Sequence, residues 1–296
     1  MNIERFIEAR KQANLSQEEL AQGICTQATL SRFERGGNVP SIKILTRLCN
    51  RLALDMAELF KSVSDSREEM IEKRLHDAEF DLIISEYDHA QEKLATLELT
   101  EIECQQFGQR FDFIQGYIAI LSGRQIQKTL EQYHTRLIQR HDLTDVYTLL
   151  NYCGLGMGYA RLNKPDLAEQ YFNVVFTEVM NVKRKNTADT WKVLTILFYT
   201  AEFYSTYNLE TSNQLLQTIV SICSSEHITF YLARAVLQLA ENEAAGDHDP
   251  KQLTALLMDA YAYAKINNNS VELQRIQTLM TEWQLINMPA ITIYTL

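Results

Sequence analysis

Gln27, Ala28, Thr29, Ser31 and Arg32 fall within six consecutive residues, and Arg35, Asn38 and Lys43 follow closely. Residues of these types at that density suit contact with duplex nucleic acid. A glutamine amide can bridge an adenine edge, an arginine fork can hold guanine, and the methyl groups of Ala28 and Thr29 can meet a thymine methyl. Arg35, Asn38 and Lys43 suit phosphate oxygens, which position a protein on the duplex without reading sequence. Gln17 opens the preceding short segment, where backbone and side-chain N–H groups would face a phosphate.

Other chemistry finds little support. The six histidines (76, 89, 134, 141, 227, 248) include no pair three or four residues apart, so no helical metal site is expected. Gly154, Gly156 and Gly158 mimic a glycine-rich phosphate loop, but they lie within a helical pattern with no strand before it. No Walker A, G-x-S-x-G or H-E-x-x-H motif occurs. His141–Asp142 reads as a helix-end pair. No catalytic residue, metal or cofactor is expected, and the chain is not read as an enzyme.

The elements that must position the polar cluster can be read from caps and apolar spacing. Ile3, Phe6, Ile7 and Ala13 make one helix face. Ser16 precedes Gln17–Glu18–Glu19 in a capping-box pattern, and Leu20, Ala21 and Ile24 continue that second helix. Gly23 permits a turn. Thr26 caps a third helix, which Gly36–Gly37 stops. Pro40–Ser41 opens a fourth, with Ile42, Leu45, Leu48 and Leu52 as its apolar face, and Met56, Leu59 and Phe60 mark a short fifth. Two short helices joined by a turn, the second with a polar start, form a helix-turn-helix. Its second helix can enter the major groove, while Leu20, Ala21, Ile24, Leu30 and Phe33 are expected in the core.

Charge agrees with this division. Of 296 residues with net charge −10, residues 1–62 hold nine Lys/Arg against seven Asp/Glu, so this head carries +2 and the remainder −12. Pro (4) and Gly (10) are scarce, against disorder and against a turn-rich β fold. The N-terminus has no apolar signal-peptide core, and the most apolar window, about 193–201, is too short to span a bilayer. Five cysteines (25, 49, 104, 153, 223) form no CxxC pair. The expectation is a cytoplasmic protein in a reducing compartment, without disulfides, zinc or membrane association.

The stretch LSQEELAQGICTQATLSRFERGGNVPS resembles an Xre-type, phage-repressor-like helix-turn-helix. Within it, IC-x-Q-x-x-x-S-R-x-E-x-G (Ile24 to Gly36) resembles more narrowly the Rgg and PlcR types, the RRNPP group of peptide-responsive regulators of Gram-positive bacteria. Its turn is one residue shorter than the common Xre pattern, as in PlcR-type proteins. The resemblance covers about a fifth of the chain. It implies a homodimer that reads a palindromic double-stranded DNA operator and answers a re-imported quorum-sensing peptide.

Beyond a linker expected at 63–67, the chain reads as helical hairpins. Phe80, Ile83, Ile84, Tyr87, Ala90, Leu94 and Leu97 fall at helical spacing. Helices are expected at about 101–122 and 124–140, 143–162 and 166–182, 188–207 and 210–224, 228–245 and 250–267, and 270–286. The four prolines (40, 165, 250, 289) all sit at proposed turns or ends. Tyr152, Leu155, Gly156, Tyr159, Ala168 and Phe172 reproduce tetratricopeptide spacing, with Tyr for Trp. At an offset of 45, Ala201 and Tyr204 match Gly156 and Tyr159, but Asn213 and Gln217 replace Ala168 and Phe172. The fold class is therefore all-α: a five-helix head (1–62) and a degenerate tetratricopeptide-like α-solenoid (68–286).

Solenoids bind extended peptides on the face made by the first helix of each hairpin. Projection from the best-matched repeat places Cys153, Met157 and Arg161 there, with Phe198 and Glu202, Gln238 and Asn242, and Phe113 and Tyr117 on neighbouring repeats. This mixture suits a short apolar signalling peptide, with Arg161 for a carboxylate. Two alternatives stay open: repeats that dock a partner protein, and a repeat-type adaptor that inhibits another enzyme. The apolar tail 287–296 could pack on the last repeat, join a dimer interface or lie in the groove.

Overall fold

The first helices start where side chains supply partners for their unpaired N–H groups. In a computed structural model, which describes residues 3–56, 59, 63–139, 142–246 and 249–283, α1 spans Ile3–Gln12, α2 Gln17–Ala21, α3 Gln27–Glu34 and α4 Ile42–Arg51. Ser16 accepts from the Glu19 N–H while Glu19 reaches back to the Ser16 N–H, a complete capping box. Thr26 accepts from the Thr29 N–H and starts α3. That helix ends at Gly36, whose φ of +78° is left-handed, with the Gly37 N–H returning to the Arg32 carbonyl at 2.8 Å. The fifth short helix expected at Met56–Phe60 lies partly outside the described residues, although Leu59 is buried.

Phe6, Leu20, Leu30, Phe33, Leu45, Leu48 and Leu59 form the core of this unit. Phe6 and Phe33 meet edge to face with centroids 5.1 Å apart. Two arginines of α4 hold the turn between α2 and α3. Arg47 donates to the Gly23 carbonyl at 2.9 Å, and Arg51 to the carbonyls of Leu20 and Gln22 at 3.1 and 2.6 Å.

Contacts divide the chain into two compact units between Lys73 and Arg74. That division lies inside a helix, Val63–Ile83, which also contains the segment 63–67 read from sequence as a linker. The stripe from Phe80 to Leu97 is likewise not one helix. The chain breaks at Ser85 (φ +68°) and resumes at Tyr87–Ala95.

The second unit continues as paired helices: Glu101–Leu121 with Ile126–Gln139, Val146–Arg161 with Pro165–Glu178, Thr187–Tyr204 with Leu209–Glu226, and Leu232–Ala245 with Pro250–Ile266. Ser270–Glu282 follows. Among the described residues there are fifteen α-helices and no strand. Caps explain most starts: Thr100 with Glu103 makes a second capping box, and Asp145, Asn186, Asn208, Asp249 and Asn269 each accept a backbone N–H. Pro165 and Pro250 occupy first-turn positions, where no N–H is missed. The tail 287–296, Pro289, His141 and His248 lie outside the described residues.

The three alternate glycines of helix 146–161 explain how the hairpins close. A Cβ on Gly154 would stand 2.3 Å from the Tyr133 ring, one on Gly156 2.7 Å from the Phe172 ring, and one on Gly158 2.5 Å from Leu130. The G-x-G-x-G run is thus a surface for three neighbouring side chains. Gly116 opens space for the same Tyr133 from the other side: a Cβ there would stand 2.2 Å from its hydroxyl. Tyr159 and Tyr171 stack at 5.5 Å, joining the two helices of the best-matched repeat.

Candidate nucleic-acid interface and ligand-binding face

The start of α3 is presented to solvent. Gln27, Ala28, Arg32 and Arg35 are exposed, as are Asn38 and Lys43 beyond it. Thr29 is half-buried, and its hydroxyl is engaged with that of Thr26 at 2.8 Å. Ser31 is buried at 8% exposure and leaves this face. An α-helix with its side chains is about 10–12 Å across, which fits a major groove about 12 Å wide.

Gln17 has a different place from that expected. Its amide nitrogen donates to Glu34 Oε2 at 2.7 Å, and its oxygen accepts from Gln27 Nε2 at 2.9 Å. Glu34 also receives a two-pronged Arg10 guanidinium, at 2.6 and 2.9 Å. Arg10 donates further to the Leu15 carbonyl at 2.8 Å. The chain Arg10–Glu34–Gln17–Gln27 therefore ties α1, α2 and both ends of α3 together. Sequence reading missed Arg10, Glu34, Arg47 and Arg51 as positioning residues, because their side-chain partners lie 17 and 24 positions away or are backbone carbonyls without a residue signature.

The expected peptide face is largely enclosed. Phe113, Tyr117, Cys153, Met157, Phe198, Gln238 and Asn242 are all buried, and only Arg161 and Glu202 of the nine candidates are exposed. Tyr117 donates to the Leu150 carbonyl at 3.1 Å and lies 5.8 Å from Tyr199, ring to ring. Burial pushes its phenol well above the ordinary value. The Cys153 thiol is pushed up to about 12, chiefly by burial. Asn242 donates to Ser212 Oγ and Asn213 Oδ1, both at 2.8 Å, and Gln238 donates to Asn242 at 3.2 Å. These two amides serve the packing of helix 232–245 on helix 209–226.

A small open cleft beside Phe113 is lined by Gln109, Asp112, Arg136, Gln139 and Tyr147, with a volume of about 260 Å³. Arg136 pairs with Asp112 at 2.8 Å, yet burial raises the Asp112 carboxyl against this attraction. Among the described residues no cluster of three or more His, Cys, Asp or Glu could hold a metal, and no helix is long and apolar enough to cross a membrane.

Residues 6–59 match the helix-turn-helix family. The N-terminal unit is a helix-turn-helix domain, of the Xre type read from its sequence. The fold of the chain is that of PlcR from Bacillus thuringiensis, solved in complex with the peptide PapR7 and DNA. That match has 15% identity and a TM-score of 0.54, covering 97% of this chain and 99% of that one. ComR from S. thermophilus, in complex with DNA and its signalling peptide ComS, is similar at 18% identity and a TM-score of 0.54, over 94% and 98% of the two chains. The apo competence regulator ComR from Streptococcus vestibularis matches at 17% and 0.53, over 94% and 96%. No curated protein sequence matches the chain. The shared architecture is a helix-turn-helix domain followed by a helical-repeat domain.

Proposed function

We propose that this protein is a cytoplasmic DNA-binding transcriptional regulator whose helical-repeat unit binds a short apolar signalling peptide. Two helix-turn-helix domains of a homodimer read the half-sites of a palindromic operator. In each, α3 enters the major groove, with Gln27, Ala28, Thr29 and Arg32 at base edges and Arg35, Asn38 and Lys43 at phosphates. The single observation carrying this reading is the fold shared over almost the whole chain with PlcR and ComR, each crystallised with DNA and a signalling peptide.

Peptide regulates by binding one dimer geometry better than another and thereby shifting the separation of the two α3 helices. A ligand with no such preference would shift nothing. The test is a thermal-shift screen of the purified chain against short peptides encoded near its own gene, paired with an operator-binding assay. A sequence-specific rise in melting temperature with a changed DNA affinity is the expected result. Specific DNA binding with no response to any peptide would instead favour a regulator controlled by a partner protein through its repeats.

A further inference from the structure

Helix 187–204 is buried on every side from Thr190 to Ala201, whereas the first helix of an open repeat leaves one face to solvent. Over Phe198 and Tyr199 the cover is Arg234 and Tyr117; over Trp191 and Lys192 it is an earlier segment of the chain. Within the second unit, the segment 74–86 lies against the first helices of three later hairpins. Glu79 Oε2 accepts from Arg110 Nε of helix 101–121 at 2.7 Å. On helix 187–204, the Trp191 ring lies 4.8 Å from His76 and 6.3 Å from Phe80, and Lys192 Nζ lies 3.8 Å from Glu79 Oε1. Phe80 also meets Phe230 at 5.6 Å, just before helix 232–245. On that helix Arg234 stacks 4.0 Å from the Phe198 ring and donates to the Ile83 carbonyl at 2.9 Å. Ser270 reaches Glu86 at 3.0 Å.

This segment sends Leu75, Ala78, Leu82 and Ile83 into the interior, but its outer residues are loosely held. His76 is exposed and Phe80 only half-buried. Glu79 is 1% exposed, yet its Oε1 makes no hydrogen bond, and neither does the buried Trp191 Nε1 beneath the same segment. Glu79 Oε1 has Lys192 at ion-pair distance only, and Trp191 Nε1 has no acceptor. Buried polar groups short of hydrogen bonds cost stability, so the polar fit is loose at the two points where this segment meets helix 187–204.

We propose that residues 74–86 are a displaceable clasp on the inner face of the repeats, and that the controlling peptide binds by taking their place. The ligand would offer an apolar side chain where Phe80 lies and a carboxylate where Glu79 sits between Arg110 and Lys192. The inference rests on the peptide-sensing reading above and names its regulation. A clasp tethered in the same chain competes at an effective concentration in the millimolar range, so only a peptide of suitable chemistry opens it. The clasp follows the helix-turn-helix domain directly in sequence.

The experiment uses the full chain with Trp283→Phe, which leaves Trp191 as the sole tryptophan. The probe is a labelled synthetic peptide of residues 74–86, RLHDAEFDLIISE. In protein that also carries Glu79→Gln and Phe80→Ala, acrylamide quenching of Trp191 should rise severalfold and the probe should bind at least tenfold more tightly than to the Trp283→Phe protein alone. A probe carrying Gln in place of Glu79 should bind that loosened protein about tenfold more weakly. Equal probe binding to both proteins, or a folded loosened protein with Trp191 still protected, overturns the proposal. Should the loosened protein not fold, hydrogen exchange on the unaltered chain decides. Residues 74–86 should exchange at least tenfold faster than helix 187–204, and matched rates overturn the clasp. None of these measurements needs the natural peptide, so the clasp stands or falls on them even where no natural peptide is found.

Discussion

Gln27 Nε2 donates to Gln17 Oε1 at 2.9 Å, joining the first residue of α3 to the first residue of α2. A glutamine at the start of a recognition helix has several rotamers, and this bond selects one before DNA arrives. Gln17 is itself fixed by Glu34, so the bond carries the rigidity of the Arg10–Glu34 pair outward to the side chain proposed to read a base. Gln27→Ala should lower specific over non-specific DNA affinity by about 1–3 kcal/mol, the usual worth of a bidentate base contact. Gln17→Ala should relax preference at the same base pair by less. A double-mutant cycle separates the roles. If Gln17 only orients Gln27, Gln17→Ala has no further effect on DNA affinity in the Gln27→Ala background, whereas a lost phosphate contact would still be felt there.

The Arg10–Glu34 pair also makes a stability prediction. Glu34 is 5% exposed at its side chain and Arg10 13%, so removing one partner strands the other away from water. Arg10→Met should destabilise the helix-turn-helix domain by roughly 3–5 kcal/mol, as for other broken buried pairs. Arg10→Met together with Glu34→Leu should recover much of that loss, because no buried charge remains. Hydrogen exchange of α1 to α3 reports the effect without assuming that both units unfold together. A double variant no better than the single one would show that geometry, not the stranded charge, sets the loss.

The fold was legible where its signals are local. Ser16–Glu19 and Thr100–Glu103 declare two helix starts, Pro165 and Pro250 two more, and the Gly36 stop is where the composition places it. The break at Ser85 was not legible, because Phe80 to Leu97 keep a helical apolar stripe straight across a residue that turns left-handed. The exposure of Gln27, Ala28 and Arg32 was readable because the apolar positions Leu30 and Phe33 fix which side of α3 faces inward, but Ser31 was read onto the same face and is buried. The inner face of the repeats was not readable. Whether Phe198 or Asn242 meets solvent depends on neighbours such as Arg234 and Ser212, and on a segment more than a hundred residues away. The all-round apolar run at 193–201 was the available clue, since a helix apolar on every side is an enclosed one.

Tyr133 is held where two helices both lack side chains, at Gly116 and Gly154. Gly154→Ala would ordinarily help a helix by about 1 kcal/mol. Here the new methyl meets a ring that is 1% exposed and has nowhere to go, and overpacking of this kind costs about 1–3 kcal/mol. The net change should be destabilising, read as a lower melting temperature of the repeat unit. Tyr133→Leu in the same background should soften the clash while adding a cavity, so the two changes should be non-additive. A melting temperature raised by Gly154→Ala alone would mean that the ring can yield and that helix propensity dominates.

The cysteines should divide by burial. Cys104 is exposed, whereas burial pushes Cys153 and Cys223 each up to about 12. The thiolate is the reactive form, so a thiol reagent at pH 8 should label Cys104 in the folded chain and reach Cys153 and Cys223 only when the repeats open. Mass spectrometry of the labelled peptides distinguishes the sites, and added urea should speed the buried ones selectively. The same shifts set the sign of a pH effect. Unfolded thiols ionise at about 8.5, while folded Cys153 and Cys223 keep their protons to about 12. Across that window the native state binds more protons, so these two sites make stability fall as pH rises. Rapid labelling of Cys153 at pH 8 without denaturant would show instead that the interior around Tyr117 and Met157 opens readily to solvent.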